Sequence, residues 1–285
     1  MVFELILNPK RSERRPWEMF FVGFIYAGLS VLLVNWIFAK DIVLAKYSGI
    51  LIVTFTVMFS IPFFYYMLRL EEKKDDEIDE SIKLLEEHGK ALHSLLWLFI
   101  GFVVAFSTFY IIIGNADHFR AQIETFCIIN SPNNFEGCIS QYGVGSIKAV
   151  GFATSTDLIG GIFTNNLYVL VFTIIFSIIF GAGGIFILAW NASVISAAVV
   201  IFSKSSLSNL PISLSRYLIH GIPEIAAYFL GTLSGGIIGI AIIKKEFKTE
   251  KFWNILHDSL LLIIIAIIIL VIAALIEVFI TPKIF

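Results

Sequence analysis

Residues 216–243 read RYLIHGIPEIAAYFLGTLSGGIIGIAII, and this stretch decides the fold class. It is an apolar run interrupted by ionisable groups at Arg216, His220 and Glu224, with Tyr228 next at the same interval of four. Four residues slightly exceed one helical turn, so in an unbroken helix the four side chains form one slanted stripe. Ionisable groups are costly in hydrocarbon and face a bundle interior or a polar pathway. Further along, Gly231, Gly235 and Gly239 keep the same interval, which lets a neighbouring helix come close. The stretch reads as a bundle helix with a polar outer portion and a tight-packing inner one.

The whole chain agrees. Its 285 residues are 58% hydrophobic with mean hydropathy +0.90, above the roughly 45–50% apolar content of soluble domains. The net charge of −2 removes any bulk-charge argument for nucleic acid as a partner. Lipid is the solvent, and backbone groups must pair within helices. The first apolar run is too long for a secretory leader and lacks a small-residue cleavage pattern, so it reads as an anchor that stays.

A crossing needs about 20 apolar residues. Residues 17–38, 48–68, 91–113 and 257–280 meet that directly. The block 162–203 would be roughly 63 Å long as one helix, about twice the hydrocarbon thickness, so it must fold back. Gly181-Ala182-Gly183-Gly184 supplies a turn and predicts a hairpin of spans 162–180 and 184–203. The block 211–243 is also too long for one crossing, and Gly221-Ile222-Pro223 is its natural break. That leaves 223–243 as the sixth span and 213–220 as a short interfacial helix. The expectation is an all-α polytopic transmembrane helix bundle of about seven spans in one integral membrane domain, residues 1–285, with a glycine-turn hairpin and a proline-broken helix.

With the N-terminus cytoplasmic, 13 of the 20 Lys and Arg fall in cytoplasmic segments, as the positive-inside bias requires. The C-terminus is then extracytoplasmic, in the cell membrane. Residues 71–90 are charged, with Ile78, Ile82 and Leu85 at helical spacing; they predict a cytoplasmic charged helix, either docking a partner or simply extending a span into water. Residues 244–254 are basic with interleaved aromatics, suited to the lipid headgroup region. Residues 115–161 form an extracytoplasmic cap segment holding both cysteines, Cys127 and Cys138. They lack CxxC spacing, which leaves a loop-closing disulfide or two free thiols.

The candidate site residues for a substrate or ion are Asn191, His220, Glu224, Tyr228 and Glu277. Glu277 in the last span reaches the same depth as Glu224, so a histidine and two carboxylates share a level. That set suits a proton relay or a divalent cation, with His220 and Glu224 as the metal ligands. Structural alternatives stand beside each. Glu277 can snorkel to the headgroups, Arg216 can anchor at the interface, and Glu224 can sit at a helix N-terminus favoured by the dipole. Asn191 can tie two helices together. No P-loop, G-x-S-x-G, dinucleotide fingerprint or H-E-x-x-H is present.

GAGGIFILAWNASVISAAV (181–199) followed by LIHGIPEIAAYFLGTLSGGIIG (218–239) resembles the stage II sporulation protein M family of membrane proteins. The start, LNPKRSERRPWEMFFVGFIYA, and the end, AALIEVFITP, resemble archaeal members. The resemblance implies a helical integral membrane protein with Asn191, His220, Gly221 and Glu224 as its polar signature. It also implies a role in a membrane complex, as an anchor beside cell-wall-degrading partners in sporulating bacteria. The expected function is therefore that of a membrane complex component or transporter-like protein with a buried His/Glu polar site near the outer leaflet. The alternative is an intramembrane metal-dependent hydrolase on the same residues. Non-enzymatic action is favoured, and the partners expected are lipid, a second copy or a membrane-complex component.

Overall fold

A backbone in lipid can hydrogen-bond only to itself, and the chain solves this with helices. Seven are long and apolar enough to cross a membrane, and no strand occurs among the described residues. The computed structural model describes residues 9–38, 41, 43–78, 81–130, 134–142, 158–180, 183–205, 210–245 and 249–284. A short helix α1 (Pro9–Arg14) leads into α2 (Glu18–Phe38), then α3 (Ser48–Glu77) and α4 (Ser81–Ile113). Two short helices, α5 (Arg120–Asn130) and α6 (Phe135–Gln141), cap one end. The bundle closes with α7 (Leu158–Phe180), α8 (Gly184–Ser205), α9 (Leu210–Ile243) and α10 (Glu250–Leu275), followed by a π-turn Ile276–Ile280 and α11 (Thr281–Ile284).

One half is built on α2 against α4, the other on α9 against α7 and α10, and α8 joins them by packing on α4, α9 and α3. The centre is α9. Within its membrane-length window 89% is buried, against 17% for α7, so α9 carries the small residues and α7 faces outward. A Cβ on Gly235 would stand 2.6 Å from the Ile174 carbonyl oxygen of α7 and 2.9 Å from Ser177 Cβ. Only glycine permits that approach.

The two ends of the bundle differ. At the disulfide end, Cys127 and Cys138 are bonded and tie α5 to α6. Gln122 of α5 donates to the Gly49 carbonyl of α3 at 3.0 Å and to Ser193 Oγ of α8 at 3.2 Å, which docks the cap on the bundle. At the charged end lie α1, the α3–α4 junction and the segment between α9 and α10.

Two expectations need correction. The proline break is absent: α9 is one helix of 34 residues with Pro223 inside it. A proline removes one N–H and crowds the carbonyl four residues earlier. The helix nevertheless continues past that single lost bond, as α3 does past Pro62. The charged stretch 71–90 is not one helix either. It is the end of α3 and the start of α4, separated at Ile78, whose backbone is extended. Its inward face is charged, with Glu71 and Glu72 fully buried and His88 1% exposed, whereas Leu85 is only partly buried. The hairpin turn is consistent with α7 ending at Phe180 and α8 starting at Gly184. Residues 181 and 182 lie outside the described residues, and a Cβ on Gly183 would collide with the Phe176 carbonyl.

Substituting Gly235 by isoleucine should lower stability in detergent unfolding by about 1–3 kcal/mol, the cost of overpacking. Gly89 has nothing within 4 Å of its would-be Cβ, so Gly89→Ala in the same assay should raise stability by up to about 1 kcal/mol through helix propensity.

Candidate polar site between α7 and α9

The helices α7 and α9 meet in a regular ladder. Leu170 packs on Gly231, and Ile174 on Gly235. One turn before Leu170 comes Asn166, and the α9 residues opposite it are Tyr228 and Glu224. The Asn166 amide joins both. Its Nδ2 donates to Glu224 Oε1 at 2.5 Å, and its Oδ1 accepts from the Tyr228 hydroxyl at 3.1 Å. Asn166 and Tyr228 are buried, 8% and 4% exposed, while Glu224 is partly buried. Each polar group removed from water here has a partner, as buried polar groups require.

Glu277 lies in the π-turn after α10, which packs on α9, close enough for its charge to act on Glu224. A π-turn widens the helix by one residue and recurs at functional sites. No cation pairs with Glu224 or Glu277 among the described residues. Two interacting carboxylates without a countercharge suit a site that takes up a proton or a cation.

Of the residues expected from sequence, the fold brings together Glu224, Tyr228 and Glu277. The side chains of Arg216 and His220 lie outside the described residues; both backbones are helical in α9, and His220 stands one turn before Glu224. Asn191 belongs elsewhere. Its Nδ2 donates to the Ile187 carbonyl of its own helix at 2.8 Å, so the amide is satisfied without joining Glu224. The residue missed was Asn166. Its signal was an amide inside the apolar run of a span, at TNNLYVL (164–170). Among the described residues no group of three His, Cys, Asp or Glu is placed to hold a metal ion.

A second cluster, also missed, fills the charged end. His88 of α4 lies 2.8 Å from Glu71 Oε2 and 3.3 Å from Asp75 Oδ1. Lys74 lies 2.8 Å from both Glu71 and Glu13, and so fastens α1 to α3. Lys244 pairs with Glu72, and Lys251 reaches the same carboxylate at 3.2 Å, pinning the α9–α10 segment. Here, unlike at Glu224, cations meet the buried carboxylates. Burial, with the Glu71 carboxylate beside it, pushes Glu13 up to about 7.

Among the described residues seven membrane-length helices, with α9 at their centre and polar clusters at both ends, define a multi-pass α-helical membrane protein. The chain belongs to the stage II sporulation protein M family, whose pattern matches residues 9–282. It is similar to an uncharacterized protein of Methanocaldococcus jannaschii, 37% identical over 131 residues that cover 43% of this chain and 70% of that one. That relative agrees with the archaeal character of the chain's two ends. No solved structure matches.

Two outcomes follow from these clusters. Asn166→Leu orphans the Tyr228 hydroxyl and one Glu224 oxygen, and should cost about 1–3 kcal/mol. A double-mutant cycle with Glu224→Gln in detergent unfolding should return a coupling of about 0.5–2 kcal/mol. Glu13, raised when folded, adds stability that is full below its unfolded value and lost as pH rises through about 7. Hydrogen exchange of α1 should therefore quicken between about pH 5 and 8, and Glu13→Gln should flatten that slope.

Proposed function

We propose that this protein is transporter-like, with Glu224 and Glu277, supported by Asn166 and Tyr228, taking up a proton or small cation at the disulfide end of the bundle. The observation that carries the reading is the pair of interacting carboxylates against the most buried helix, with no cation paired to them among the described residues. Ionisable groups at membrane depth mark ion and proton positions. The basic residues favour a cytoplasmic N-terminus, and a disulfide favours an oxidising outer side for the cap. In that orientation Glu224 lies toward the outer leaflet, with the His220 backbone one helical turn before it.

A second reading has its own support. Asn166 bridges two residues of α9 from α7, which is also what a helix-to-helix tie in a membrane-complex component needs. The metal-hydrolase alternative rests on His220 and Glu224, and the His220 side chain lies outside the described residues.

Ion uptake into proteoliposomes, driven by a pH or sodium gradient, separates these readings. The wild-type protein should show gradient-driven flux, and Glu224→Gln should lose it while remaining folded. A Glu224→Gln protein with unchanged flux sinks the transport reading. So does a silent wild type whose Glu224→Gln variant is merely less stable; that result assigns the cluster to helix packing. Metal that co-purifies with the wild type and is lost with Glu224→Gln would favour the hydrolase.

A further inference from the structure

The charged end holds a cavity that the Glu224 site leaves unexplained. Its volume is about 500 Å³, inside the roughly 300–1,000 Å³ range of small-ligand sites. Five cations line it: Lys10 and Arg14 from α1, Lys73 and Lys74 from α3, and Lys90 from α4. Among the described residues only Glu13 and Glu77 oppose them on its walls. The cavity thus sits where three helix ends meet, and its lining is predominantly basic.

The cations are not equivalent. Lys74 is 11% exposed and fixed between Glu13 and Glu71, so it forms a rigid floor. Lys73 pairs with Glu77 at 3.1 Å, both well exposed, and exposed Lys90 pairs with half-buried Glu87. Exposed pairs of this kind are worth about 0–1 kcal/mol, so a stronger anion can displace them. Arg14 makes no ion pair among the described residues; its Nε donates to the Lys10 carbonyl at 3.2 Å. That bond aims the guanidinium and leaves its Nη groups for a ligand. A guanidinium presents two parallel donors that match phosphate.

We propose that this cavity binds a phosphate group, with Arg14 as the bidentate contact and Lys73, Lys90 and Lys10 around it. The shared chemistry is a phosphoryl anion, carried by an acidic lipid headgroup or present as free phosphate. The location favours the headgroup, because basic pockets between membrane helix ends collect acidic lipids. Glu13 strengthens the site when protonated, since one of the two opposing charges is then removed. The ligand in turn holds α1 against α3 and α4, the helices it packs on.

The test compares the wild-type protein with Arg14→Gln/Lys73→Gln and with Lys46→Gln, an exposed lysine at the disulfide end and outside the cavity. Native mass spectrometry after exchange into mixed phosphatidylglycerol and phosphatidylcholine nanodiscs reads the headgroup arm. Thermal unfolding in detergent with added inorganic phosphate reads the free-anion arm. Lipid recognition predicts that the double variant retains roughly tenfold less phosphatidylglycerol, with Lys46→Gln as wild type. A free-phosphate site predicts instead that phosphate raises the wild-type melting temperature and leaves the double variant unmoved. The proposal is overturned if the double variant matches wild type in both arms, or if Lys46→Gln loses as much as it does. Arg14 and Lys73 are exposed, so the double variant folds, and its melting temperature without phosphate verifies that.

Discussion

The close, in-register approach of α7 to α9 is the constraint on which the rest depends. Glycines at 231 and 235 let the Leu170 side chain and the Ile174 backbone sit directly against α9. Lipid offers no hydrophobic drive to hold helices together, so packing and interhelical hydrogen bonds must do it. Once that register is fixed, Asn166 has one place to go, between Tyr228 and Glu224. The glycines set the geometry and the amide locks it. This is why α9 can be almost wholly buried while α7 stays exposed to lipid.

That register also explains how α9 keeps its proline. Pro223 lies beside Glu224, the residue held by the Asn166 amide, and α9 as a whole packs on α10 and its π-turn. Losing one backbone hydrogen bond is tolerable when neighbours hold both flanks. In sequence, a proline in an over-long apolar block has two meanings, a break or a packed continuation. Length alone favoured the break. The neighbours that decide the matter, 58 positions away at Asn166, do not show in a local reading.

The number of spans was legible because hydrophobic length is a local property, and 71–90 misled for the same reason. A run such as EEKKDDE (71–77) reads as solvated, since charged residues are almost never fully buried unless paired. Glu72 is paired, with a lysine 172 positions away, and that distance hides it. The apolar spacing drew attention to Ile78, Ile82 and Leu85, whereas Glu71, Asp75 and His88 are also buried there and joined to one another. Asn166 was overlooked for a different reason. A single amide in an apolar run weighs less than an ionisable stripe, although in lipid its hydrogen bonds matter as much. Glu224, Tyr228 and Glu277 could be nominated because ionisable or hydroxyl-bearing residues stand out at membrane depth, whereas the bond from Asn191 to its own helix leaves no mark in a linear reading.

The two ends of the bundle resolve the same problem in opposite ways. Burying a carboxylate is costly, and the cost falls when a cation and hydrogen bonds come with it. At the charged end Lys74, Lys244, Lys251 and His88 supply that compensation, drawn from α3, α4 and the α9–α10 segment. The result is a fixed network that clamps three parts of the chain. At the disulfide end Glu224 has an amide but no described cation, and a second carboxylate stands near it. A network built only for stability gains nothing from placing two acids together, because their repulsion must be relieved by a proton or an ion. The two ends therefore differ in kind: the described charged-end cluster holds its helices by paired charges, whereas no cation meets Glu224 among the described residues, the contrast on which the proposed ion site rests.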